Sequence, residues 1–189
     1  MEGVTAFGAA FALVALLELG DKTQLLVISL ATRHAPLPIA AGAFLGETAV
    51  TAIAVSAGVV IASFVDVRYV QVASGAIFVA IGVWRLWEKE TGASEPNVGK
   101  PFTSAMGLSF LAELGDKSML AVIALVATLR APISVYLGAS AALLAMVVFA
   151  VVVGKVLRRY LSARWLRYVG AGLFLLAGAL IIVDALLRG

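Results

Sequence analysis

Apolar residues run through this chain in long blocks, interrupted by short polar or proline-bearing breaks. The blocks cover roughly residues 4–31, 36–62, 68–87, 103–129, 131–155 and 165–187, and each reaches the roughly 20 residues that a helix needs to cross a bilayer. Pro36, Pro38, Pro101 and Pro132 fall at the breaks, where a fixed φ suits the first turn of a helix. Asp66-Val67-Arg68 marks a short second connection. The only polar stretch of any length, Glu88–Lys100, reads as a flexible linker. The pattern predicts an all-α polytopic membrane protein with six transmembrane helices. Residues 1–88 form one three-helix half, 89–101 a cytoplasmic linker, and 102–189 the second half.

Two of these blocks are broken by charge in the same way. Glu18-Leu19-Gly20-Asp21-Lys22-Thr23 lies inside the first and Glu113-Leu114-Gly115-Asp116-Lys117-Ser118 inside the fourth. A charge at the bilayer centre costs roughly 2.5–3.5 kcal/mol, so six represent on the order of 15 kcal/mol before any pairing. A buried ion pair holding helices together would explain one such motif. Two that match almost residue for residue point to a functional site.

Composition narrows the chemistry. The chain is 62% hydrophobic with mean hydropathy +1.07, well above soluble domains. With no Cys and a single His, His34, disulfide scaffolds, thiol catalysis, thiolate metal sites and multi-histidine centres are excluded. Glu2 stands where a signal peptide carries basic residues, and the first apolar run is too long for one. The net charge of +3 is not a nucleic-acid signal, because most basic residues mark topology. Connections one, three and five carry nine of them: Arg33, Arg85, Lys89, Lys100, Lys155, Arg158, Arg159, Arg164 and Arg167. The opposite side carries Arg68, Arg130 and Arg188. This bias predicts odd-numbered connections in the cytoplasm and both termini outside.

The halves resemble each other beyond the motif. Ala31-Thr32-Arg33-His34-Ala35-Pro36 recurs as Ala127-Thr128-Leu129-Arg130-Ala131-Pro132, and Leu45-Gly46 as Leu137-Gly138. Three spans per repeat would insert the second half upside down, the inverted-repeat design that places a transport site at the midplane.

On a continuous helix Glu18 and Asp21 share a face, as do Glu113 and Asp116. Antiparallel motif helices would bring the four carboxylates together. Hard divalent cations favour such oxygens. Thr23, Ser118 and Gln24 add neutral oxygens, and Gly20 and Gly115 permit close approach or a local helix break that frees carbonyls. Met119, matching Gln24, offers a sulfur that Mn²⁺ tolerates better than Ca²⁺. Lys22 and Lys117, four residues after Glu18 and Glu113, have the spacing of a helical ion pair. With both charged, the four acids keep a net −2, which one divalent cation neutralises. Carboxylates left empty in low dielectric take up protons, so metal and protons competing for one site amount to cation/proton antiport.

Glu-x-Gly-Asp-(Lys/Arg)-(Ser/Thr), present twice in a chain of six spans, resembles the signature of the GDT1 family of Mn²⁺/Ca²⁺ transporters, similar in outline to small exporters of the lysine-exporter superfamily. The resemblance covers essentially the whole chain. It implies a secondary transporter, not an enzyme, exporting Mn²⁺ or Ca²⁺ from the cytoplasm against protons. It carries Glu18, Asp21, Glu113 and Asp116 over as metal ligands, with Thr23 and Ser118 as accessory ligands. Gln24, Glu47, Lys22 and Lys117 are further accessory candidates. The expected setting is a bacterial plasma membrane. Metal ion, protons and bilayer are the expected partners, with homo-oligomerisation left open, no nucleic acid and no resident cofactor.

Two rival readings share these features. An organic-cation or amino-acid exporter could use the same scaffold. An intramembrane aspartyl protease carries Gly-x-Gly-Asp, but here Glu replaces the first Gly in both copies and a Lys follows each Asp. Glu47 is the one other deep carboxylate, and its repeat counterpart is Ala139. It reads as a proton acceptor or fifth ligand, or else as an interfacial helix-start acid, since it lies roughly 16 Å along a helix from Pro36. The basic, aromatic segment Lys155–Arg167 reads as a headgroup anchor.

Overall fold

The computed structural model describes residues 2–19, 21–87, 100–152 and 163–187. These residues form eight helices and no strand: α1 (Glu2–Glu18), α2 (Lys22–Arg33), α3 (Pro36–Phe64), α4 (Val67–Trp87), α5 (Pro101–Glu113), α6 (Lys117–Leu129), α7 (Pro132–Val152) and α8 (Ala163–Leu187). Most of the linker and of the basic segment before Arg164 lies outside the described residues.

The helix boundaries follow local chemistry. α3, α5 and α7 begin on Pro36, Pro101 and Pro132, where the missing N–H costs nothing. Only His34 and Ala35 separate α2 from α3, and only Arg130 and Ala131 separate α6 from α7. Arg130 ends α6 in a left-handed conformation, φ 51°. The expected spans at 4–31 and 103–129 are each two helices, interrupted within the charged motif. The axes on either side of the first interruption diverge by 68°.

Among the described residues, α3 and α7 alone are long and apolar enough to cross a membrane as single helices, and the bent pair α1–α2 makes a third candidate span. The distribution of polarity is that of a membrane protein. Val4, Leu37, Phe64, Leu111, Ile133 and Leu187 are each at least 70% exposed, whereas Glu18, Asp21, Glu47, Glu113, Asp116 and Lys117 are at most 7% exposed. A water-soluble fold arranges these classes the other way round.

The most extensive pairings are α4 with α8, α3 with α5, and α1 with α7. Small residues make them close. A Cβ on Gly42 would lie 2.2 Å from the Phe102 carbonyl oxygen, one on Gly46 2.3 Å from that of Met106, and one on Gly138 2.3 Å from that of Phe7. Gly75 and Gly178 meet backbone to backbone between α4 and α8. Such contact is how helices associate where lipid removes the hydrophobic drive. Around the motif breaks, Val14 and Leu17 of α1, Phe78 of α4 and Val126 of α6 are fully buried. A polar tie joins α4 to α6, with Thr128 donating to Ser74 over 3.1 Å and Ser74 to the Ala124 carbonyl over 3.4 Å.

Candidate metal centre

Both motifs adopt the same local structure. Glu18 ends α1 and Glu113 ends α5, while Asp21 and Asp116 are the N-cap residues of α2 and α6, with extended backbone at φ −76°, ψ 166° and φ −79°, ψ 173°. The Asp21 N–H bonds the Glu18 carbonyl at 3.1 Å, and the Asp116 N–H bonds the Glu113 carbonyl at 3.0 Å. Gly115 supplies the turn at φ +80°, a conformation that costs any residue with a Cβ. Gly20 and the Lys22 side chain lie outside the described residues.

Because the helices stop inside the motifs, the acids are not gathered by a shared helical face. The i,i+4 pairing expected of Glu113 and Lys117 has no continuous helix to run along. Each break instead sets the C-terminus of one helix beside the N-terminus of the next, with the Glu18 and Glu113 carbonyls accepting from the Asp21 and Asp116 N–H groups. Neither aspartate caps its own helix through its side chain, which leaves both carboxylates for longer-range contacts.

Carboxylate oxygens of Glu18, Asp21 and Glu113 lie within 4.8 Å of one another, all buried. Glu113 is held by a hydroxyl from each motif: Thr23 Oγ1 donates to its Oε1 over 2.7 Å, and Ser118 Oγ to its Oε2. Lys117 Nζ donates to Asp21 Oδ1 and, over 3.2 Å, to Asp116 Oδ2. Asp116 thus shares the lysine with Asp21 of the three-acid cluster. Glu18 Oε1 and Asp21 Oδ2 are buried without a hydrogen-bond partner among the described residues. Buried carboxylate oxygens left bare are costly, and a bound cation or a proton relieves them.

Glu47 is 3% exposed, buried among these acids and not solvated at an interface. It lines two small cavities beside the cluster, one shared with Glu113, Ser118 and Met119 and the other with Glu18 and Gln24. Each has a volume of about 10 Å³, room for about one water molecule. The Met119 sulfur accepts the Gly115 N–H at 3.3 Å, which ties it to its own turn.

Two polar residues escaped the sequence reading. Ser109 lies one turn before Glu113, its Oγ buried with no hydrogen-bond partner among the described residues. Thr51 lines the Glu47–Glu113 cavity and donates to the Glu47 carbonyl at 3.0 Å. The four-residue spacings Ser109–Glu113 and Glu47–Thr51 were the available signal.

Known proteins match this chain along most of its length. A family model described as "Divalent cation/proton antiporter GDT1" matches twice, over residues 6–93 and 101–188. A Vibrio cholerae protein named "Putative manganese exporter" is 37% identical over 169 residues, covering 86% of this chain and 83% of its own. A GDT1-like protein of Synechocystis is 30% identical over 92% of this chain and 94% of its own. The chloroplastic protein PAM71 of Arabidopsis thaliana is 30% identical over 95% of this chain and 57% of its own. No solved structure matches the chain significantly. A match this extensive, repeated once in each half, makes the chain a member of the GDT1 family of divalent cation transporters.

Proposed function

We propose that this protein is a secondary transporter that exports a divalent cation from the cytoplasm in exchange for protons, with Mn²⁺ preferred and Ca²⁺ next. Glu18, Asp21, Glu113 and Asp116 form the site, Thr23 and Ser118 are accessory ligands, and Gln24 and Glu47 stand beside it. The observation that carries this reading is the buried cluster of Glu18, Asp21 and Glu113, with oxygens within 4.8 Å and two of them bare of hydrogen bonds among the described residues. The manganese preference draws on the name of the Vibrio cholerae relative. Proton exchange draws on the family description and on the cost of leaving such a cluster charged and empty in low dielectric.

Six spans in two inverted three-helix halves are part of the same proposal. The family model matching each half separately supports it, as does the exchange of pairings when the halves are swapped, α1 with α7 becoming α5 with α3. The basic residues of the odd connections favour both termini outside a bacterial plasma membrane.

The test is uptake into inside-out vesicles, with Mn²⁺ and Ca²⁺ offered separately, with and without a pH gradient, for the wild type and for Asp21→Asn and Asp116→Asn. Gradient-dependent uptake of one metal, lost in both variants, is the expected result. No uptake of either metal would overturn the ion-exporter reading and put an organic-cation exporter in its place. Metal uptake indifferent to the gradient would overturn proton exchange alone.

A further inference from the structure

We infer that the Lys117 ammonium is the resident counter-cation of the empty site, and that the transported ion must displace it from Asp21. The inference rests on the cation-export reading and concerns how that site is emptied and reset. Lys117 belongs to the second motif, yet its Nζ crosses to Asp21 of the first while also holding Asp116 at 3.2 Å. It is 3% exposed. Asp21 is therefore claimed twice, by the ammonium at Oδ1 and, through its geometry with Glu18 and Glu113, by the candidate metal site.

A dication bound to Asp21 and an ammonium in contact with the same carboxylate repel each other strongly in a dry site. The two occupants are mutually exclusive at that oxygen pair. Lysine suits the exchange, because its charge is compact and its four-carbon stem is flexible. Neither aspartate is committed to capping its helix, so the swing breaks no cap. When the ion leaves, the lysine returns and, together with the exchanged protons, covers charge that would otherwise be carried bare through the reorientation of the metal-free carrier, a step that low dielectric makes costly.

This assigns Lys117 to the return step and not to ion binding, which transport assays can separate. Labelled Mn²⁺ exchanging for unlabelled Mn²⁺ never requires the metal-free carrier to reorient, whereas net uptake does. In proteoliposomes, Lys117→Gln is expected to keep exchange, lose net uptake about tenfold, and bind Mn²⁺ about tenfold more tightly, since one competing positive charge is gone. Lys117→Arg keeps the charge but grips Asp21 in a fork, so the half-saturating Mn²⁺ concentration is expected to rise about threefold with the maximal rate retained.

Parallel loss of exchange and net uptake in Lys117→Gln, retention of both, or weaker Mn²⁺ binding would each overturn the inference. Should Lys117→Gln fail to fold, a fall in maximal rate at unchanged half-saturation in Lys117→Arg overturns it. A wild-type protein that neither binds nor moves Mn²⁺ or Ca²⁺ overturns the export reading and this inference with it. Normal wild-type exchange beside a failing prediction for the variants overturns this inference alone.

Discussion

Thr23 donates a 2.7 Å hydrogen bond to Glu113, a residue 90 positions further along the chain and in the other motif. The bond makes the two motifs a single unit, because Glu113 is oriented from one side by Thr23 and from the other by its own Ser118. Hydrogen bonds to charged groups are worth roughly 1.5–3 kcal/mol, although membrane-buried pairs often deliver less, about 0.6 kcal/mol on average. Thr23→Val keeps the shape and removes the donor. It is expected to lower stability by about 1 kcal/mol in a thermal melt in detergent and to cut metal uptake several-fold. Unchanged uptake would show that Glu113 does not need this orientation.

Cargo should stabilise the protein. A ligand that binds only the folded state adds about 2.7 kcal/mol at one hundred times its dissociation constant. Melting in Mn²⁺, Ca²⁺, Mg²⁺ and chelator is therefore expected to give the highest midpoint with Mn²⁺. The shift should vanish in Asp21→Asn, measured against that variant's own metal-free midpoint. An equal shift in that variant would move the ion elsewhere.

Gly115 is a backbone requirement and not a packing one. Its φ is +80°, and nothing lies within 4 Å of where a Cβ would be. Gly115→Ala is expected to cost about 1–2 kcal/mol through the left-handed penalty, and Gly115→Asn less, since Asn tolerates that region. Equal melting of the Ala and Asn variants would contradict this account.

Glycines at helix contacts should respond differently. Gly46→Ala and Gly138→Ala would drive a methyl into a carbonyl oxygen 2.3 Å away, and overpacking of this kind costs typically 1–3 kcal/mol. Gly107, with open space around it, serves as the control, and Gly107→Ala should be neutral or stabilising by up to about 1 kcal/mol. Melting temperatures of the three variants decide the matter.

The helical character and the burial of the motif acids could be read from the chain because both rest on cost. Long apolar blocks and duplicated charges inside them admit few interpretations. The local helix break was anticipated from Gly20 and Gly115 as one of two options, and the structure places interruptions within both motifs. The arrangement of charges was not legible. A shared helical face for Glu18 and Asp21 presupposes a helix that ends at Glu18. Lys117 reaches Asp21 across 96 positions, a separation at which local spacing rules carry no information. Ser109 and Thr51 were overlooked because single hydroxyls in apolar helices are common, although each stands four residues from an acid on its own helix. The meeting of Gly75 with Gly178 is likewise invisible until α4 and α8 are set side by side.

The uncommitted N-cap aspartates have an evolutionary consequence. Neither side chain caps its helix, so Asn or Ser in place of Asp21 and Asp116 would leave the helix breaks intact. The change would, however, strand the buried Lys117 ammonium that both carboxylates hold, so a lineage that lost the two acids would keep the folded bundle only by replacing Lys117 as well. Such descendants would keep the scaffold after losing the cargo. The two aspartate positions, more than overall likeness, would then separate working transporters from relics of the same ancestry.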